Sequence, residues 1–186
     1  MQARFASVGH SNRPLTAFID ILREAGIGLV VDVRSFPKSR TNPVFNTDTL
    51  PDDLAAVQIG YRHMPDLGGR RPRQTDVPSE TNALWRVQSF HNYADYALGA
   101  RFGAALEALI ALGRDTRLAM MCSEAVWWRC HRRIVTDHLI ARGHAVDHLM
   151  GGGRIDAARL TPGAQAGADG RVIYPAPSDA ARGADG

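Results

Sequence analysis

The chain has 186 residues, of which 45% are hydrophobic and 22% charged, and its formal net charge is +3. This length suffices for one domain with a single core, and the composition excludes a disordered or fibrous protein. No apolar run approaches the roughly 18 residues of a membrane span, and the start lacks the apolar stretch of a signal peptide. We therefore expect a cytoplasmic protein without a membrane partner.

The first third of the chain predicts a βαβ unit. Residues 5–8 form a short apolar run, and Leu15, Phe18 and Leu22 follow at helical spacing. Residues 29–33 are almost uniformly apolar, which is typical of an inner strand covered on both faces. Strand, helix and strand in so few residues predict two parallel strands joined by a right-handed crossover.

Two long irregular stretches come next, with regular structure between them. Prolines interrupt residues 34–46, and residues 65–81 contain the arginine-rich run GGRRPR. Between these stretches, residues 48–57 predict a short helix and residues 59–63 a third strand. Long irregular segments in a compact domain often carry functional residues.

The second half continues the alternation of helix and strand. Its pattern predicts a helix over 93–112, a strand over 117–121, a helix from 128 or 129 to 142 and a strand over 145–150. After Gly151, only residues 171–174 have the pattern of a strand, at a sheet edge. We predict a single three-layer α/β domain over 1–175, with a mainly parallel sheet of about five strands and helices on both faces. Residues 176–186 are predicted to be a disordered tail.

Residues 120–133, with the sequence MMCSEAVWWRCHRR, hold both cysteines and follow a buried strand. In a parallel sheet, residues 9–12, 32–34 and 122–124 all lie at strand carboxyl ends. Ligands of open α/β sheets bind at that edge. The three segments therefore predict a ligand site, and the reducing compartment predicts free thiols rather than a disulfide.

Four residues at this edge are candidates for catalysis. Cys122 is a candidate nucleophile, because the following helix and arginines would lower its pKa, and the alternative is a buried structural cysteine. Glu124 is either a general acid/base or an ion-pair partner of Arg129. His10 is a candidate proton carrier, and His10 and Asp32 are equally compatible with a structural role in a turn.

Arginine clusters supply candidate anion ligands, because the planar guanidinium donates two parallel hydrogen bonds to phosphate or carboxylate. The candidates in the irregular stretches and around the cysteines are Arg34, Arg40, Arg70, Arg129 and Arg132. The alternative is a solvated charged surface.

Metal binding is a further possibility, because Cys122, Cys130, His131 and His138 are all metal-ligand types. Helical spacing predicts that His131 and His138 share the helix face that packs on the sheet, that His138 is a hydrogen-bonded core residue, and that Cys130 points away from that face. We therefore predict no metal and no cofactor, and a cysteine/histidine metal-binding protein is kept as an alternative.

Motifs along nearly the whole chain resemble those of one family. They are VGHSNR at 8–13, VDVRSFP at 31–37, LGGR at 67–70, YADY at 93–96 and CSEAVWWRCHRR at 122–133. These motifs are similar to the signature of DUF488, a family of uncharacterised bacterial proteins, although Trp127 stands where that family usually has proline. The resemblance implies a cytoplasmic α/β domain and no established activity.

Together the polar strand ends and the arginine clusters favour an enzyme acting on a phosphate-bearing substrate, a nucleotide or a nucleic acid, in a crevice at the strand carboxyl ends. A non-catalytic nucleotide- or nucleic-acid-binding module is the alternative.

Overall fold

A computed structural model describes residues 4–178, and its main sheet has six strands. The strands are β1 (Phe5–Gly9), β2 (Leu29–Asp32), β3 (Gly60–His63), β4 (Leu118–Cys122), β5 (Val146–Gly151) and β6 (Arg154–Ala157). They lie in the order β3-β2-β4-β1-β5-β6, with β6 alone antiparallel to its neighbour. The α/β class and the mainly parallel sheet are confirmed, with one strand more than predicted.

Helices cover both faces of this sheet. They are α1 (Leu15–Glu24), α2 (Leu50–Ala55), α3 (Gln88–Tyr96), α4 (Ala100–Asp115) and α5 (Arg132–Ala141). Successive strand residues point to opposite faces, so Ala119 packs with α1 and α2, whereas Met120 packs with α3, α4 and α5. The two separate apolar clusters confirm the predicted three layers.

The prediction of one helix over 93–112 is wrong, because two helices, α3 and α4, meet at an angle of 77°. The chain breaks before Gly99, whose backbone is extended. Apolar spacing continues across the break, so periodicity alone did not reveal it. No single helix among residues 4–178 is long and apolar enough to span a membrane, although α3 and α4 taken together have the necessary length and composition.

Three strands near the carboxyl terminus differ from the prediction. β6 was missed, because a glycine-rich turn introduces it: Gly151, Gly152 and Gly153 all have positive φ and reverse the chain. Residues 171–174 do contain a strand, β8 (Val172–Ile173), but it pairs with β7 (Gln165–Ala166) in a separate sheet. Most of the predicted tail, residues 179–186, lies outside the described residues.

Candidate functional site

A crevice of about 620 Å³ opens at the carboxyl ends of β1, β2 and β4. Backbone hydrogen bonds extend the sheet beyond these ends: the His10 amide donates to the Cys122 carbonyl at 2.9 Å, and the Val33 amide to the Met121 carbonyl at 3.0 Å. Six of the predicted site residues line the crevice, namely His10, Arg34, Arg70, Cys122, Glu124 and Arg129. Asp32, Arg40 and Arg132 do not line it.

Asp32 lies beneath the crevice and holds Arg34. Its two carboxylate oxygens accept hydrogen bonds from Arg34 Nε at 2.9 Å and Nη2 at 2.7 Å, and the Tyr61 hydroxyl donates to Oδ2 at 2.5 Å. Arg34 Nη2 also donates to the Phe45 carbonyl at 2.6 Å. Both members of the pair are buried. Most of the Arg34 donors are therefore used within the protein, and Asp32 has no access to a ligand in the crevice.

His10 completes this buried layer. Arg34 Nη1 lies 3.2 Å from His10 Nε2, and since arginine only donates, Nε2 accepts and Nδ1 carries the proton donated to the Ser11 carbonyl at 2.7 Å. Burial lowers the pKa of His10 below its usual range, with the Arg34 charge acting in the same direction. The ring also stacks on Phe45, with centroids 4.4 Å apart. The neutral ring of His10 therefore helps to position the Arg34 guanidinium.

The rim of the crevice has a different character, because its cations are exposed. Lys38, Arg70 and Arg129 line it from three separate loops. The Arg70 guanidinium lies 5.4 Å from the centre of the Phe36 ring, which is 68% exposed. Phe36 is one of the aromatic residues among the arginine-rich loops, for which the sequence predicts either stacking on a base or packing in the core, and its exposure contradicts the second alternative. Lys38, the only lysine in the chain, was not selected as an anion ligand although it lies within the arginine cluster.

Glu124 is the only carboxylate among the residues that line this crevice. It is exposed, and Oε1 lies 3.5 Å from the Val126 amide. Within residues 4–178 it forms no ion pair with Arg129, so the ion-pair alternative is wrong for this arrangement. Its carboxylate is left available to a ligand.

The loop that carries Glu124 is held from below by two features. A methyl group at Gly9 would lie 1.9 Å from the Glu124 carbonyl oxygen, so only glycine permits this close approach. Arg132, which is 1% exposed, donates from Nη2 to the same carbonyl at 2.6 Å and from Nη1 to Ser7 Oγ at 3.3 Å. Arg132 therefore positions the loop and is not placed to bind an anion.

Cys122 and Cys130 are buried free thiols that approach each other beside His131. Their sulfurs and one His131 ring nitrogen all lie within 4.8 Å of one another. The prediction that Cys130 points away from the face that carries His131 is wrong, because α5 begins only at Arg132 and Cys130 has an extended backbone. Helical spacing therefore does not apply to Cys130.

The expected low pKa of Cys122 is also wrong. A hydrogen bond to Cys130, together with burial, raises the pKa of Cys122 to about 12. Burial opposes ionisation of Cys130 as well, but the hydrogen bond from Cys122 and the charge of Arg132 outweigh it and lower the pKa of Cys130 to about 6. Of the two sulfurs, Cys130 is therefore the one that ionises first.

His138 lies away from the crevice. It is fully buried as predicted, and its ring packs edge-on against Phe102 with centroids 5.0 Å apart. The prediction that it is hydrogen-bonded is wrong, because neither ring nitrogen has a partner in the described part of the chain. Burial lowers the pKa of His138 to about 3.

The fold and the site define an α/β protein with a cation-rimmed crevice at the carboxyl edge of its sheet. Residues 14–139, more than half of the chain, match the family model described as domain of unknown function DUF488. The chain belongs to this family, which confirms the resemblance. No curated protein and no solved structure matches the chain significantly.

Proposed function

We propose that the protein is an enzyme that acts on a phosphate-bearing substrate, a nucleotide or a nucleic acid, held in the crevice. The observation that carries this proposal is the rim, where Lys38, Arg70 and Arg129 are exposed around a space of about 620 Å³. Only one carboxylate, Glu124, lines the same space. Such an excess of positive charge favours an anionic ligand.

The donor types suit phosphate in particular. Arginine forks donate paired hydrogen bonds to phosphate oxygens, and a lysine adds a compact charge. Hydroxyl groups also line the crevice, at Ser35, Ser39, Thr41, Ser89 and Ser123. Hydroxyls donate to phosphate oxygens without adding charge, so a ligand bearing one or two phosphates matches the lining.

An aromatic surface beside the cations favours a nucleotide over a simple phosphate ester. Phe36 is 68% exposed next to Arg70, and Phe90 also lines the crevice. Bases stack on exposed aromatic rings in a way that tolerates different sequences. The volume of the crevice lies within the range of small-molecule sites, which suits a mononucleotide or one flipped nucleotide of a strand.

Glu124 is the group we assign to proton transfer. It is exposed at the end of β4, and its loop is held by Arg132 and by the close approach at Gly9. A carboxylate positioned in this way acts as a general acid or base. Arg34, held by Asp32 and His10, has a donor left at Nη1 for charge that develops on the substrate.

The test is a screen of nucleotides and phosphate esters for binding and turnover, followed by variants. Arg70→Ala and Arg129→Ala should each weaken binding by about 10- to 100-fold, the loss expected for one charge-assisted contact. Glu124→Gln should keep binding and lose turnover by about 100-fold or more. Arg154→Ala, at an exposed arginine on β6, is the matched control and should change neither.

Two results would contradict the proposal. Phosphate-bearing ligands whose affinity is unaffected by both rim substitutions would place the binding site elsewhere. Full turnover in a folded Glu124→Gln variant would remove the acid/base assignment.

A non-catalytic nucleic-acid-binding module is the second candidate, and exposed arginines outside the crevice favour it. Arg40, Arg62 and Arg73 are exposed in the same third of the chain, and Trp128 is exposed beside Arg129. This candidate predicts oligonucleotide binding that falls steeply with added salt and that Arg40→Ala and Arg73→Ala weaken. Binding with those properties and no turnover on any substrate would favour it over the enzyme.

A further inference from the structure

Cys122, Cys130 and His131 form a compact group of donors on one wall of the crevice. All three line it, and their donor atoms lie within 4.8 Å of one another. Cys122 ends β4, whereas Cys130 and His131 directly precede α5. The group is therefore anchored to the sheet on one side and to a helix on the other.

One donor separation in this group equals that of a tetrahedral zinc site, and the other two are close to it. Zinc binds sulfur at about 2.3 Å and imidazole nitrogen at about 2.0–2.1 Å, so a tetrahedral sulfur–nitrogen edge measures about 3.6 Å. Cys130 Sγ lies 3.5 Å from His131 Nδ1. The distances from Cys122 Sγ to Cys130 Sγ and to the His131 nitrogen are no longer than 4.8 Å. Each would need to shorten by about 1 Å at most to reach the tetrahedral value.

The His131 ring is oriented with its free nitrogen toward the sulfurs. Its Nε2–H donates to the Val33 carbonyl at 2.9 Å, and its other ring nitrogen, Nδ1, faces Cys130 Sγ at 3.5 Å. A carbonyl partner on the far nitrogen is the usual arrangement around metal-binding histidines. Gly69 lies against the ring, since a methyl group there would be 2.5 Å from Nδ1, and Tyr93 packs edge-on at 5.1 Å.

The sulfur of Cys130 also has outer-sphere support. Arg132 donates to it from Nε at 3.3 Å and from its backbone amide at 3.5 Å. Hydrogen-bond donors of this kind stabilise negative charge on a metal-bound thiolate. The same arginine holds the Glu124 loop, so the donor group and the crevice share one support.

We propose that Cys122, Cys130 and His131 bind one zinc-class divalent cation, with its fourth position open to the crevice. Three protein ligands and one open position distinguish catalytic zinc sites from closed structural ones. Two thiolates and an imidazole select a borderline-soft cation over magnesium or calcium. This proposal does not depend on the identity of the substrate.

The experiment is a metal titration of protein purified under reducing conditions, without an affinity metal, and stripped with a chelator. Zn²⁺ should bind at one ion per chain, and Co²⁺ should give thiolate charge-transfer and tetrahedral absorption bands, whereas Mg²⁺ should not compete. Cys122→Ser, Cys130→Ser and His131→Ala should each lower Zn²⁺ affinity by about 100-fold or more. His144→Ala, at a histidine beside Phe5, is the control and should leave it unchanged.

Gly69→Ala tests the orientation of the His131 ring without removing a ligand. The added methyl group should displace the ring and weaken Zn²⁺ binding by about 10- to 100-fold, as outer-sphere changes do. It should also alter the Co²⁺ spectrum. Thiol alkylation of the unmodified protein adds a readout that does not depend on variants folding: Zn²⁺, but not Mg²⁺, should protect both cysteines.

Three results would overturn this assignment. They are Zn²⁺ binding that persists in folded Cys122→Ser or Cys130→Ser protein, thiols that Zn²⁺ does not protect, and a Cys122–Cys130 disulfide in metal-free protein isolated without oxidant. None of these measurements uses a substrate. A failed metal site would therefore leave the phosphate proposal standing, and absence of phosphate binding would leave the metal site standing.

Discussion

Arg132 and His138 are both fully buried on α5, yet their polar atoms have opposite surroundings. Arg132, at the start of the helix, donates to Ser7, to the Glu124 carbonyl and to Cys130. Neither nitrogen of His138, further along the same helix, has a hydrogen-bond partner within residues 4–178. One helix thus carries a buried charge with hydrogen-bond partners beneath the crevice and a buried ring without such partners in the core.

The difference shows which buried polar groups organise the site. A buried guanidinium is tolerated only with partners, and the partners of Arg132 fix the loop and sulfur that line the crevice. A neutral imidazole costs less to bury, so His138 can fill core space against Phe102 without fixing any neighbour. The region beneath the crevice is therefore expected to be sensitive to lost partners, and the core around His138 is not.

The largest expected effect on the free energy of unfolding comes from the buried layer beneath the crevice, which contains Asp32, Arg34 and His10. Asp32→Ala leaves Arg34 buried without its counter-ion and should lower the free energy of unfolding by about 3–5 kcal/mol. Urea denaturation followed by circular dichroism measures the change. A loss below about 1 kcal/mol would mean that Arg34 is solvated once Asp32 is removed, and that the layer beneath the crevice does not depend on its buried partners.

A smaller effect of opposite sign is expected in the core. His138→Leu removes two unsatisfied nitrogens at similar volume and should leave stability at pH 7 unchanged or raise it by about 1 kcal/mol. Burial lowers the pKa of His138 in the folded protein to about 3, so between this value and its ordinary pKa the unfolded chain binds a proton that the folded protein does not bind. Stability should therefore be complete above the unfolded pKa near 6.5 and fall as pH decreases, by up to about 1.4 kcal/mol per pH unit.

Urea denaturation between pH 7 and pH 4 checks this pH dependence. His138→Leu should flatten the acid side of the profile but not abolish its slope, because burial also lowers the pKa of His148 to about 4. His144→Leu is the matched control. An acid slope identical to that of the unmodified protein would show that His138 gains a partner or water in solution.

The smallest effect is expected at the rim. Lys38 and Asp48 form an ion pair at 3.2 Å with both side chains about two-thirds exposed, at 64% and 65%. Lys38→Ala should change the free energy of unfolding by no more than about 1 kcal/mol, because exposed pairs contribute little. The same variant should weaken phosphate binding. A large loss of stability would make Lys38 part of the buried layer rather than of the rim.

Much of the fold was predictable because its signals are local. The uniformly apolar runs around Val31 and Met120 predicted inner strands, and helical spacing predicted α1 and α5 to within a few residues. The break at Gly99 and the glycine turn before β6 were missed, since both depend on how the chain packs rather than on its periodicity.

The site was predictable only in outline. Strand ends in a parallel sheet must share an edge, so the sequence placed His10, Arg34 and Cys122 near one another. It did not separate Asp32 and Arg132, which lie beneath the crevice, from Arg70 and Arg129, which line it. All are charged residues at or near strand ends, and their burial depends on distant partners.

By itself, the sequence determined the family, the three-layer class and the edge of the sheet where the polar strand ends lie together, because motifs and periodicity are properties of neighbouring residues. Only the tertiary structure decided which charges face the crevice and that Cys122 and Cys130 meet beside His131. The physical reason is that α5 starts after His131, so the extended backbone there, rather than helical spacing, directs these side chains.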